Sequence, residues 1–248
     1  MISKNIFDNA KRQEGQMAVT IYLIPGVGAD ERIFSKLQLP EECEVVHLRW
    51  VAHKPGEDLK SYVKRLLPQI KQDTVPVLIG MSFGGIVAIE LAKIIHPYKT
   101  IIISSIKSRQ ERPLKFSVMR RLPIHRFIPG HLVARVNFWW NWVLGDLTES
   151  DKKLIQDMIR DINIPFNEWA ADKAITWTNE EVPSNVVHIH GTNDTIFPHI
   201  YIGSDAHLIK GGTHWMIVNR AKEISKIIRK ELSEKQIIKR VQPLDKAA

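Results

Sequence analysis

The chain has 248 residues, 44% of them hydrophobic and 25% charged, which is enough for one sizeable core with room for an inserted subdomain and excludes general disorder. Its single cysteine, Cys43, excludes an internal disulfide, and no cysteine/histidine cluster has metal-ligand spacing, so no metal is expected. The formal net charge of +8 comes without any recognition motif, aromatic–glycine ribonucleoprotein signature or zinc-finger spacing, so no nucleic-acid partner is expected.

Residues 1–17 are polar and aperiodic and read as a flexible arm, without the apolar stretch of a secretory signal. No segment anywhere reaches the roughly 18 consecutive apolar residues of a membrane helix. The chain is therefore expected not to be transmembrane and to be cytoplasmic by default.

Val19–Ile24 is a β-rich run stopped by Pro25-Gly26-Val27-Gly28. A second run, Cys43 to Trp50, ends before Pro55-Gly56 and holds Cys43 as a buried strand thiol. Asp58 caps a helix with Leu59, Tyr62, Val63, Leu66 and Ile70 on its apolar face. Val75–Gly80 is almost wholly apolar, as suits a strand covered on both sides, and a helix follows through Ile86, Ala88, Leu91 and Ile95. Further strands are expected at Ile101–Ile103, Val186–His190 and Ala206–Ile209, with a helical pattern from Trp215 to about Glu234.

Strands alternating with helices predict an α/β fold, a mostly parallel sheet flanked by helices. Residues 107–177 break the alternation: they lack a good strand, carry helical patterning and prolines, and read as a helical lid inserted after the strand near 100–105. The expected organisation is a core of 18–106 and 178–234, a lid of 107–177, and flexible arms at 1–17 and 235–248. Lys107, Arg109, Arg112, Lys115, Arg120, Arg121, Arg126 and Arg135 face only Glu111 across the early lid. Such a stretch can attract an acidic carrier protein or an anionic lipid surface, and a solvated helix face accounts for it equally well.

The chemistry centres on Gly80-Met81-Ser82-Phe83-Gly84-Gly85, between an apolar strand and a helix. A sharp strand-to-helix turn lifts the serine hydroxyl above the sheet, and its crowding calls for Gly80 and Gly84 two positions either side of the serine. Gly85 lets the helix approach the neighbouring strands. The serine also lies at a helix N-terminus, which favours negative charge.

A serine hydroxyl needs a base to take its proton. Asp194, in His190-Gly191-Thr192-Asn193-Asp194, follows the fifth strand, and His214, in Gly211-Gly212-Thr213-His214-Trp215, follows the sixth. Ser82, Asp194 and His214 at successive strand ends form a candidate triad of nucleophile, orienting acid and base. A tetrahedral intermediate needs two N–H donors, expected from Phe83 and from the Gly26 turn at Val27. His190 is expected to support the Asp194 loop, and two alternating histidines, His188 and His190, without a third ligand do not make a metal site.

These motifs resemble the α/β-hydrolase superfamily, specifically its compact lidded members such as carboxylesterases and the methyl esterase acting on pimeloyl-carrier protein. The resemblance runs over about residues 18 to 232 and is sharpest at the Pro25-Gly26 turn, Gly80–Gly85, His190–Asp194 and Gly211–His214. It implies an eight-stranded type of sheet and hydrolysis of an ester or thioester with a small to medium hydrophobic acyl group, without a cofactor. The chain departs from it in having Pro25-Gly26 where many relatives have His-Gly, and a polar arm too short for their opening hairpin.

Trp139, Trp140 and Trp142 in the lid, with Trp215 beside His214, are candidate pocket residues, the lid tryptophans being equally suited to its own core. Trp169 and Trp177 are expected to pack the last lid helix onto the sheet. The same triad also serves C–C hydrolysis, lyase steps or acyl transfer, and the scaffold serves weakly catalytic ligand binding. A lipid hydrolase working at a membrane surface is a further alternative.

Overall fold

The computed structural model describes residues 18–121 and 147–233. The expected arms and the tryptophans at 139, 140 and 142 lie outside the described residues, as do Arg126 and Arg135.

Six strands form one sheet: β1 (Val19–Ile24), β2 (Glu44–His47), β3 (Val75–Met81), β4 (Lys99–Ile103), β5 (Val186–Gly191) and β6 (His207–Ile209). Their order is β2-β1-β3-β4-β5-β6, with every neighbouring pair parallel. Among the described residues the sheet thus has six strands, two fewer than the resemblance implies. β2 is shorter than the run from Cys43 to Trp50, and Cys43 is buried immediately ahead of it. The chain steps from β1 outward to β2, then returns to the other side for β3. The crevice beyond the C-terminal ends of β1 and β3 is thus a switch point, where open α/β sheets bind their ligands.

Alternation along the strands builds two cores. Ile21, Leu23, Val77, Ile79, Ile101, Ile103 and Ile189 face one side, covered by α6 (Met216–Asn219) and α7 (Ala221–Glu231) through Met216, Ile224 and Ile228. Tyr22, Ile24, Leu78 and Ile102 face the other, covered by α1 (Leu59–Lys64) and α2 (Phe83–Ile95). Burial on both faces explains the apolar composition of β3 and β4.

Asp58 caps α1 by accepting the Ser61 N–H at 2.9 Å. Leu59, Tyr62, Val63, Leu66 and Ile70 are all buried, but the α-helix ends at Lys64 and a 3₁₀ turn over Leu67–Gln69 completes the run. Pro68 is the reason, since it has no N–H to continue the i→i−4 ladder. The C-terminal helical pattern is likewise divided, at Arg220, into α6 and α7.

Between β4 and β5 the described residues form α3 (Leu114–Arg121), α4 (Glu149–Arg160) and α5 (Ile164–Thr176). Trp169 and Trp177 sit mainly against other helices and loops rather than on the sheet. The Trp177 indole donates to Glu90 of α2 at 2.8 Å, and the Trp169 indole donates to the Glu57 carbonyl at 3.1 Å. Helix α2 already occupies that face of the sheet, so α5 stacks on top of it.

Four of the basic residues make internal contacts. Lys107 pairs with Asp205 and Arg109 with Glu180, while Arg112 donates to the Trp177 carbonyl and Lys115 to the Thr195 carbonyl. Among the described residues no helix is long and apolar enough to cross a membrane.

Candidate active site

β3 ends at Met81, and Ser82 follows with φ 54° and ψ −120°, a backbone conformation that non-glycine residues rarely adopt. Surrounding contacts hold it there: its N–H donates to Ile103 O at 2.9 Å, and its carbonyl accepts the Ser105 hydroxyl at 2.7 Å. The flanking glycines are required because the backbone passes too close for a side chain. A Cβ on Gly84 would lie 2.1 Å from Ile24 O, and one on Gly80 would lie 2.2 Å from Gly84 O. Gly85 faces Ser105, and Gly26 abuts the Ser82 Cβ across the turn after β1.

His214 and Asp194 come to this serine from the ends of β6 and β5. His214 Nδ1 lies 2.9 Å from Asp194 Oδ2, and Nε2 lies 3.0 Å from Ser82 Oγ. A carboxylate only accepts, so Nδ1 carries the hydrogen and Nε2 is left to accept from the serine hydroxyl. The other carboxylate oxygen, Oδ1, accepts the N–H groups of Ile196 and Phe197 at 2.8 and 2.9 Å. Burial acts to raise the Asp194 carboxyl, but the His214 ring and these hydrogen bonds outweigh it and hold the group below its ordinary value.

The two loops are also joined to each other. Asn193 N–H donates to Gly212 O at 2.9 Å, and Gly211 N–H donates to the Thr192 hydroxyl at 2.8 Å. His190, as expected, supports the acid loop, with Nε2 2.7 Å from Phe197 O.

Phe83 begins α2 directly after the serine, and Val27 lies in the turn after β1, half-buried. The next residue in that turn, Gly28, donates its N–H to Asn167 Oδ1 of α5 at 2.6 Å. Trp215 is buried in the core over α6, its ring edge-on to His214 with centroids 6.3 Å apart.

A cavity of about 200 Å³ is lined by Asp30, Trp50, Met158, Asp161, Phe166 and Asn167, among others; neither Ser82 nor His214 lines it, and Trp50 connects it to the elbow. Trp50 packs on Phe83 with ring centroids 5.7 Å apart, and on Phe166 at 5.3 Å. Sequence reasoning did not single out Trp50, Phe166, Asn167 or Ser105. Trp50 was accessible to it, because it follows β2 on the same carboxyl edge as the other site loops. Asn167 was not, since 139 positions separate it from Gly28.

Among the described residues no group of three or more histidine, cysteine or acidic side chains is arranged to hold a metal ion.

A family model described as the alpha/beta hydrolase family matches residues 21–227. The chain belongs to the α/β-hydrolase family. No curated protein matches it in a sequence search. Solved structures do match in fold. MenH from S. aureus is 17% identical, with a TM-score of 0.67 over 89% of this chain and 96% of that one. A lipase-esterase related protein from Clostridium acetobutylicum is 17% identical, with a TM-score of 0.64 over 88% and 96%. A thermophilic esterase from Thermogutta terrifontis is 17% identical, with a TM-score of 0.61 over 89% and 91%. At such identities the likeness shows the α/β-hydrolase fold, and chemistry has to be argued from this chain's own residues.

Proposed function

We propose that this α/β-hydrolase family member is a serine esterase or thioesterase working through an acyl-enzyme. Ser82 Oγ bonds to the carbonyl carbon as its proton passes to His214 Nε2, and Asp194 holds the imidazole in the required tautomer and stabilises the imidazolium. The Phe83 and Val27 N–H groups take the developing oxyanion. As the tetrahedral intermediate collapses, the bond to the leaving oxygen or sulfur breaks and His214 returns the proton to it. Water, deprotonated by the same nitrogen, then adds to the acyl-enzyme; the bond from the acyl carbon to Ser82 Oγ breaks, His214 returns the proton to Oγ, and the acid leaves. The reaction draws on side chains and water alone.

The observation that carries this reading is the relay from Ser82 through His214 to Asp194, at 3.0 and 2.9 Å. Its strained nucleophile at the switch point of the sheet adds support. Trp50, packed against both Phe83 and Phe166, offers apolar surface next to the elbow for a small to medium hydrophobic group of the substrate. Residues 107–177 are proposed as the lid over it.

Labelling with a fluorophosphonate probe tests the reading, comparing wild type with Ser82→Ala and His214→Ala. Labelling of the wild type alone, followed by turnover of p-nitrophenyl esters that peaks at one chain length, is the expected result. A folded wild type that takes no label would overturn it and favour ligand binding without catalysis.

A further inference from the structure

Beside the acid of the relay lie two histidines that the mechanism above does not use. His188 and His190 project from β5 onto the face shared by Ile102, and both are buried, 2% and 0% exposed. Their rings meet edge to face with centroids 5.2 Å apart. His190 Nε2 is 2.7 Å from Phe197 O, an acceptor only, so Nε2 carries the hydrogen. His190 Nδ1 is then an acceptor unless the ring is charged, and the group facing it is His188 Nε2 at 3.3 Å. That nitrogen also faces Ser105 O at 3.1 Å, so it too carries a hydrogen, shared between the two acceptors.

The remaining nitrogen of the pair, His188 Nδ1, has no hydrogen-bond partner among the described residues and faces Glu111 Oε2 at 3.7 Å. Glu111 is itself buried and accepts the N–H groups of Lys107 and Gly203 at 2.8 and 2.9 Å. A directional chain therefore runs from His188 through His190 to the Phe197 carbonyl. The N–H of that same Phe197 donates to Asp194 Oδ1.

We infer that His190 is a positioning residue for the hydrolysis: as the neutral Nε2–H tautomer, fixed by His188, it anchors the Phe197 peptide. The Ile196 and Phe197 N–H groups then occupy Asp194 Oδ1 and leave Oδ2 to His214. This rests on the Ser82–His214–Asp194 reading. It assigns His190 no contact with substrate.

The charged and titratable groups around the pair are Asp194 and His214 on the relay side, Glu111, Lys107 and Asp205 behind His188, and Lys115 beside Thr195. Asp194 Oδ2 is 3.7 Å from His190 Nε2, a distance at which its charge favours the protonated ring. Burial wins, aided by His188, and lowers His190 to about 4, so the ring is neutral where esterases work.

Two substitutions separate donor from bulk. His190→Leu fills the space without a donor, whereas His190→Gln returns an N–H near the position of Nε2. With p-nitrophenyl acetate, His190→Leu is expected to lower kcat about 10- to 100-fold, from a shift of the acid by a fraction of an ångström. KM should stay within about twofold, and His190→Gln should recover kcat to within about threefold of wild type. Val187→Ala, on the same strand but facing the other core, controls for loss of stability and should leave kcat unchanged.

Histidine-selective ¹⁵N NMR of the wild-type protein needs no variant to fold. It should show His190 neutral and protonated at Nε2 between about pH 5 and 8. Wild-type kcat in a folded His190→Leu, equal losses in both His190 variants, or a ring that titrates in that range or is protonated at Nδ1 would each overturn the inference. Failure of the serine reading shows separately, as absence of labelling at Ser82.

Discussion

At the elbow between β3 and α2 the backbone packs so closely that a methyl group on Gly84 would sit 2.1 Å from Ile24 O. Past β5, the loop from Thr192 to Phe197 is held chiefly by directed hydrogen bonds, from His190 at the strand end to Phe197 O and from Ile196 and Phe197 to Asp194. The nucleophile is thus positioned by steric exclusion and the acid by polar complementarity. The first mechanism tolerates no added volume, and the second tolerates volume but not the loss of a proton.

The largest expected effect lies at the elbow. Gly84→Ala drives a carbon into two carbonyls, and a cost above about 4 kcal/mol should leave little folded protein by circular dichroism. A folded, active Gly84→Ala would break the steric half of the contrast. At the acid loop, Asp194→Asn keeps volume and changes only donors and acceptors. Its amide must turn a donor either to His214 Nδ1–H or to the Ile196 and Phe197 N–H groups. A fall in kcat of about 10⁴-fold with the fold intact is expected from steady-state kinetics. A folded Asp194→Asn variant that keeps wild-type kcat would instead show the loop to be held by bulk.

Much of this division was legible in advance. Steric demand writes itself into residue type, because only glycine meets it, so Gly80, Gly84 and Gly85 announced the elbow around Ser82. Strand boundaries followed from apolar runs such as Val75–Gly80. Polar complementarity is harder to read, since any serine, asparagine or histidine satisfies many partners. His190 was expected to brace the Asp194 loop because it stands on the same strand end, but Glu111 and Ser105 gave no sign of their roles. Asn167 likewise becomes meaningful only once α5 is placed against the turn after β1. Pro68, which ends α1 early, was visible in the sequence but outweighed by an apolar pattern that runs on through it.

The smallest expected effect is a pH dependence peculiar to the polar half. His190 is held at about 4 in the folded chain, against 6.5 for an unperturbed histidine. Between those values the unfolded chain binds a proton that the folded chain does not, so stability falls as pH drops through that window and is flat above it. The expected loss from this group is about 3 kcal/mol, read as a shift in urea midpoint between the two ends of the window. His190→Gln should flatten that slope. Asp194 and Glu111, both held below their ordinary values, contribute stability that is lost only as the pH falls further, through their folded-state values. A wild-type midpoint that does not change across the upper window would place a charged histidine in the core.

The segment after β1 is tied to the helices between β4 and β5 at three points: Gly28 to Asn167, Arg32 to Asp161, and Lys36 to Asp151. The first fixes the turn that carries Val27, and the other two anchor the residues just beyond it to α4 and its end. If α4 and α5 swing outward to admit a substrate, they must either break these ties or pull the turn with them. On the proposed mechanism, a turn pulled along with them would carry the Val27 donor away from the oxyanion. On that mechanism the helices between β4 and β5 and the turn carrying Val27 act as one assembly, joined through Asn167 and Gly28.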